Sequence, residues 1–318
     1  MKPPYTVSEK IMLLISSISQ QLGEITGAGM HRPKTELRKL NRIKTIHSSL
    51  EIEGNTLTEA QITALLDNKR VLAPEKDILE VKNAIQLYAA VKEFNALKLA
   101  DLNKAHKVLM NGLIEGPGTF RTTNVGIVKG SKVEHLAPPG GMVNGLMKDL
   151  FNYLKNDTDL LLIKSCVFHY EFEFIHPFLD GNGRMGRFWQ TVLLMQQYPV
   201  FEYLPVESLI KQRQDDYYKA LSLSDKSGHS TAFIEFMLQI INDALKDVLN
   251  SQNRTVTQPE RLEIFKDIVQ KQSFTRKDYM RNFRDLATAT ASRDLKFGID
   301  NNILEKEGDK NKTVYRYK

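Results

Sequence analysis

The stretch His176-Pro-Phe-Leu-Asp-Gly-Asn-Gly-Arg-Met-Gly-Arg187 sets an imidazole, a carboxylate, a glycine turn and two arginines side by side. Gly181-Asn182-Gly183 is a turn that can aim successive backbone N–H groups at an anion, and the helix that follows adds its positive N-terminal end. Beyond the turn, Met185, Phe188, Val192 and Met195 form an apolar helical face, while Arg184, Arg187 and Thr191 fall on another. Two guanidinium groups three residues apart above an anion cradle suit a polyphosphate. Asp180 can offer a carboxylate to a Mg²⁺ that bridges phosphates. His176 is the nearby side chain that is neutral and basic at physiological pH, the natural base for an attacking hydroxyl. Taken singly, a His-Pro is a turn, a Gly-Asn-Gly a loop and a pair of arginines a solvated face. Their order along one segment is what a nucleotidyl transfer requires.

Upstream of this segment, Leu160 to Phe168 is an apolar helical run that contains the single Cys166, read as a buried thiol and not as a nucleophile. Most of the first 250 residues have helical periodicity. Gly116 to Gly141 interrupts it with Gly, Pro, Thr and Val, which favours a short β-hairpin, here called the flap. Earlier still, Leu40, Ile43, Ile46 and Leu50 trace an apolar helical stripe whose next position is Glu53. Ser49 lies one turn before that glutamate, Gly54 reads as the residue that ends the helix, and Thr58-Glu-Ala-Gln61 as a capping box.

At the other end, polar residues 251–259 read as a linker, with Pro259 at a first helical position. Helices near 260–271, Arg276 to Arg284 and Thr288 to Phe297 precede two short strands around Gly308-Asp309, the order of a winged helix-turn-helix. The domain reading is therefore an N-terminal helical region over 1–100, a catalytic core over 101–250, a linker over 251–259 and a winged helix over 260–318.

The motif from His176 to Arg187, its lead-in His169-Tyr-Glu-Phe-Glu-Phe-Ile175 and the later Tyr217-Tyr218-Lys-Ala-Leu resemble the Fic family across roughly residues 35 to 245. The resemblance implies a mainly α, Fic-type helical core with a β-hairpin flap, and transfer of AMP from ATP to a hydroxyl side chain of a target protein. It implies that His176 deprotonates that hydroxyl and Asp180 holds Mg²⁺. Asn182 with the Gly181 and Gly183 amides would bind the α-phosphate, and Arg184 and Arg187 the outer phosphates. Tyr217 matches a tyrosine that lines the nucleotide pocket. Asp225 stands where relatives often carry Asn at an adenosine contact. Val133, Glu134, His135 and Leu136 in the flap are the choice for contacts to the base and, by strand addition, to the target backbone.

Ser49-Leu-Glu-Ile-Glu53-Gly54 likewise resembles the family's inhibitory pattern, in which Glu53 would pair with Arg187 and keep ATP in a non-productive pose. In some relatives the same glutamate helps water remove AMP from modified targets. Self-modification and a homodimer are further expectations from the resemblance.

The chain has 318 residues, 42% hydrophobic and 26% charged, an ordinary globular composition. No apolar run reaches the roughly 20 residues needed to cross a bilayer. With one cysteine and no cleavage signal, a cytoplasmic location is expected. Residues 254–318 carry 15 Lys and Arg against 10 Asp and Glu, so they hold five of the six net positive charges. The alternative function is accordingly a nucleotide-sensing regulator that binds DNA through the winged helix, using Arg293, Lys296, Lys310 and Lys312.

Overall fold

The structure is a computed structural model and describes residues 2–27, 35–129, 132–253, 258–269, 272–283, 286–308 and 313–318. Residues Met1–Leu249 form one unit and Asn250–Lys318 another. In chain order the first contains α1 (Glu9–Gly27), α2 (Thr35–Ile52), α3 (Glu59–Leu66), α4 (Glu75–Ala89), α5 (Leu99–Leu109), β1 (Gly126–Lys129) and β2 (Lys132–Leu136). Then follow α6 (Val143–Asn156), α7 (Leu161–Ile175), α8 (Asn182–Met195), α9 (Val206–Gln212), α10 (Gln214–Ser227) and α11 (Thr231–Asn253), whose residues from Asn250 on belong to the second unit.

A helix that is apolar on every side belongs in the middle of a bundle, and α7 is such a helix. Cys166, Val167, Phe168 and Phe172 are fully buried, on all sides of it. The Cys166 thiol is pushed up to about 12 by burial, the behaviour of a core thiol. α8 runs back against α7 with Met185, Phe188, Trp189 and Leu193 fully buried. The two arginines of α8 are themselves only 5% and 3% exposed, so the helix has no solvated arginine face. Met195, at its last turn, is only partly buried.

α2 departs from its expected stripe at one end. Ile43, Ile46 and Leu50 are buried, but Leu40 is 51% exposed. The buried face there runs instead through Asn41, whose amide donates to the Tyr203 carbonyl at 2.8 Å, and Thr45, Ser48 and Ser49 continue it. The helix stops where a glycine in the left-handed region lets it stop. Gly54 has φ +89°, its N–H donates to Glu51 O and that of Asn55 to Leu50 O, both at 3.1 Å. This is a Schellman motif. It makes Glu53 the C-cap of α2, one residue past the helix, and not a member of its buried stripe. Thr58 and Gln61 then exchange side-chain and backbone hydrogen bonds in a capping box that opens α3.

The flap is the antiparallel pair β1–β2, with Gly126 opposite Leu136 and an irregularity after Ile127. The expected border at residue 100 falls inside α5, and α4 packs on α5, so no division of the first unit runs there. The expected linker also begins later, because α11 continues to Asn253; residues 254–257 lie outside the described ones.

The second unit orders α12 (Gln258–Val269), α13 (Arg276–Asn282), α14 (Thr288–Asp300), β3 (Leu304–Glu307) and β4 (Val314–Tyr317). β3 and β4 pair antiparallel, and Phe274 adds a bridge to Tyr315. Leu262, Phe265, Tyr279, Leu295 and Leu304 form its core. Arg261 clamps the buried Asp294 with two hydrogen bonds of 2.6 and 2.8 Å, and Tyr279 donates a third at 3.2 Å. Lys310 and Lys312 lie outside the described residues.

Candidate active site

α7 and α8 meet at the loop 176–181, and each end of that loop is held in a left-handed conformation. His176 closes α7 with φ 50° and donates its N–H to Phe172 O at 3.0 Å. Gly181 opens α8 with φ 82°. Between them the Asn182 side chain bonds to both the N–H and the carbonyl of Phe178, each at 2.9 Å, so it closes the loop from within. The first-turn amides of α8, on Asn182, Gly183 and Arg184, have no acceptor inside the helix and add to its positive end. The Gly181 N–H is taken by the Asp180 carboxylate at 2.6 Å.

Asp180 is the acid at the mouth of this cradle, its side chain 52% exposed. Arg184 donates to it at 3.1 Å and to Glu80 of α4 at 3.2 Å. Among the described residues no group of three or more His, Cys, Asp and Glu could hold an ion alone. A single exposed carboxylate beside an anion cradle nevertheless fits Mg²⁺, which draws its other ligands from phosphate and water.

Arg187 is held from α2. Its Nη2 donates to Glu53 Oε1 at 2.7 Å and to the Ser49 carbonyl at 3.0 Å, and its Nε to the Ser49 hydroxyl at 3.2 Å. Burial pulls the pKa of this guanidinium down, but Glu53, Tyr217 and Glu173 together outweigh that and leave it above its usual value. The same carboxylate crowds the cradle itself. A Cβ on Gly183 would lie 2.5 Å from Glu53 Oε1 and 3.2 Å from Arg187 Nη1, so only glycine leaves room for the carboxylate above the first turn of α8.

Tyr217 is 2% exposed, and its hydroxyl donates to His169 Nε2 at 3.1 Å while His169 Nδ1 donates to Gln190 Oε1 at 2.7 Å. Burial pushes His169 down to about 3, so it is a neutral core histidine. Asp225 accepts a hydrogen bond from the Tyr170 hydroxyl at 3.0 Å. For Val133, Glu134, His135 and Leu136 only the backbone is described, as β2; their side chains lie outside the description.

Three residues that support the loop are absent from the sequence reading. Glu80 is buried and braced by Asn55, whose amide donates to it at 2.8 Å. It borders the apolar stripe Val81, Ala84 and Leu87 of α4, a signal of the kind used for Glu53. His106 of α5 stacks on Phe178 with ring centres 3.6 Å apart. The Gly118 N–H donates to its Nδ1 at 2.8 Å, which assigns the ring proton to Nε2, and Nε2 donates to the Asp180 carbonyl at 2.9 Å. Burial lowers its pKa to about 4. The third, Arg121, sits in a loop, where no periodicity could mark it.

The Fic/DOC family model matches residues 96–194, the span that carries α5, the flap, α7 and nearly all of α8. A Fic family protein from Desulfovibrio desulfuricans G20 is 38% identical, with a TM-score of 0.78 over 100% of this chain and 98% of that one. The chain belongs to the Fic family. Protein adenylyltransferase fic-1 of Caenorhabditis elegans is 27% identical over 74% of this chain, and protein adenylyltransferase Fic of Culex quinquefasciatus 32% identical over 66%. The chain spans about half or less of those relatives, 49% and 41% of their length. The solved C. elegans Fic-1 fragment, 18% identical at a TM-score of 0.62, shares the fold. Among the described residues no helix is long and apolar enough to cross a membrane.

Proposed function

We propose that this chain transfers AMP from ATP to a hydroxyl side chain of a target protein, its own included, and that Glu53 restrains it. The observation that carries the reading is the assembly of one loop, in which His176 ends α7, Asp180 stands exposed at the mouth and the first-turn amides of α8 lie under two arginines. The imidazole of His176 takes the proton of the attacking hydroxyl. That oxygen forms a bond to the α-phosphorus, the bond to the bridging oxygen breaks, and pyrophosphate leaves. The α8 amides bind the α-phosphate as its charge builds, and Arg184 and Arg187 bind the β- and γ-phosphates. Mg²⁺, held by Asp180, supplies neutralisation of phosphate charge when bound. Tyr217 and Asp225 belong to the wall on the nucleotide side, and the β2 backbone at Val133–Leu136 pairs with the target chain. Glu53 acts on two of these parts, because its carboxylate holds Arg187 and fills space over Gly183.

Intact-mass analysis after incubation with ATP and Mg²⁺, with and without cell lysate, tests the reaction. Gain of an AMP group by any protein supports it; its absence from every protein, with the Glu53→Gly variant as well, overturns it.

A second reading, duplex DNA as the partner of the C-terminal unit as a winged helix, is favoured by one feature of α14. Its central acid, Asp294, is turned inward onto Arg261, while Arg293 and Lys296 remain exposed, with Arg276, Lys277 and Arg281 exposed on α13. Affinity for a mixed-sequence duplex that falls steeply and linearly in log–log form with salt supports it, and no salt-dependent binding refutes it.

A further inference from the structure

One buried arginine is spent wholly on carbonyls. Arg121 is 3% exposed, and among the described residues its guanidinium makes four hydrogen bonds, none of them to a carboxylate. Nε donates to the His176 carbonyl at 2.7 Å and Nη2 to the Ile175 carbonyl at 3.0 Å. Both acceptors are at the C-terminal end of α7, where carbonyls lack helical donors and a cation is favoured. Nη1 donates to the Thr123 carbonyl and Nη2 also to that of Pro138, each at 2.7 Å. Those two residues are the flap's stem, just before β1 and just after β2. The backbone repeats the connection, since the Arg121 N–H donates to Pro177 O at 2.9 Å. The stem is closed on itself as well, by the Gly140 N–H on Asn124 Oδ1 at 3.0 Å.

We propose that Arg121 is a positioning residue that couples the flap to the base, fixing both the left-handed backbone of His176 and the height of the flap stem above it. The inference rests on the adenylyltransferase reading for its consequence, though not for its geometry. If a target chain lies along β2 and its hydroxyl must reach His176, the distance between flap and base has to be constant. A guanidinium that binds both sides sets that distance. Lysine cannot replace it, because an ammonium on one stem has three donors at a single point and not a planar fork that spans carbonyls on two elements. His176 alone among the loop's non-glycine residues has φ in the left-handed region, a conformation that persists only when its surroundings hold it.

The test compares Arg121→Lys and Arg121→Ala, each in a Glu53→Gly background, with the Glu53→Gly parent. At saturating ATP, AMP incorporation by Arg121→Ala falls about a hundredfold, as expected for a base displaced by about an ångström. Affinity for a fluorescent ATP analogue changes less than about twofold, because the α8 amides and arginines are untouched. Millimolar guanidinium restores part of the rate in Arg121→Ala, which a general loss of folding would not allow. Arg121→Lys shows the same split with a smaller loss and keeps the test alive should the alanine variant not fold. Peptide-level hydrogen exchange on either variant is read independently of activity, and exchange quickens in residues 172–181 and 119–141 together. Unchanged protection of both peptides overturns the proposal even if the parent transfers no AMP, an outcome that would separately count against the adenylyltransferase reading. A rate equal to the parent's, or a loss matched by lost nucleotide affinity, also overturns it.

Discussion

The Glu53 carboxylate and the Arg187 guanidinium meet at 2.7 Å, joining the end of α2 to the second turn of α8 across 134 residues of sequence. One partner is almost fully buried and the other a third exposed, with side-chain exposures of 2% and 32%. Removing the exposed partner leaves the arginine bonded to Ser49 and open towards the cradle. Glu53→Gly is therefore expected to raise AMP incorporation, including self-modification, by about tenfold or more, since a single preorganised donor to developing charge is worth up to about 10²- to 10³-fold. Adding Arg187→Ala should silence the activated variant again, a non-additive result expected of coupled groups. Radiolabelled AMP incorporation by wild type, Glu53→Gly and the double variant decides it. A folded Glu53→Gly no more active than wild type would leave Glu53 as a helix-capping residue only.

His176→Ala should abolish transfer, by about 10²- to 10⁴-fold, and leave nucleotide affinity largely intact. The imidazole is absent from the cradle's set of donors, so binding and chemistry separate at this residue. Transfer at the parent rate in Glu53→Gly/His176→Ala removes His176 from the reaction.

Asp180→Ala should reduce transfer in Mg²⁺ far more than it reduces metal-free nucleotide binding. Its carboxylate also caps the Gly181 amide and bonds to Arg184, so a modest loss of affinity accompanies the loss of rate. Equal transfer in EDTA and in Mg²⁺ by the Glu53→Gly parent would contradict a metal role.

His106 makes a stability prediction with a definite sign. Its folded pKa is about 4 against an ordinary value of 6.5, so in that interval the unfolded chain binds more protons and His106 loses stabilising effect as pH falls. His106→Asn should therefore be most destabilising above pH 6.5. Its cost should shrink by up to about 1.4 kcal/mol per pH unit on descending towards pH 4. Glu171 and Glu207, both raised to about 7 by burial, act with the opposite sign but are present in both proteins and cancel. Denaturant midpoints of the two proteins between pH 4 and pH 7.5 measure the difference, and a pH-independent difference would show that His106 is not buried neutral.

What could be read in the chain was what is local. The end of α2 at Gly54, the capping box at Thr58 and the flap hairpin each follow from conformations and hydrogen bonds within a few residues, and the buried thiol at Cys166 from the apolar run around it. The adjacency of His176, Asp180, the glycines and the arginines is likewise written in one segment. Periodicity failed at Leu40, which is exposed while its polar neighbour Asn41 is buried and bonds to Tyr203, 162 residues away. It placed Glu53 inside a helix that ends one residue earlier.

The amino-acid sequence by itself determined which groups the loop between α7 and α8 contains and how its two helices begin and end, because those depend on backbone sterics and neighbouring side chains. Only the tertiary structure decided what surrounds that loop. Glu80 on Arg184, His106 on Asp180, Arg121 on His176 and Glu53 on Arg187 join residues separated by 104, 74, 55 and 134 positions. A hydrogen bond needs its partners within about 3 Å, and nothing in the order of residues records such a distance until helices apolar on all sides, α7 first among them, have packed the rest of the chain around themselves.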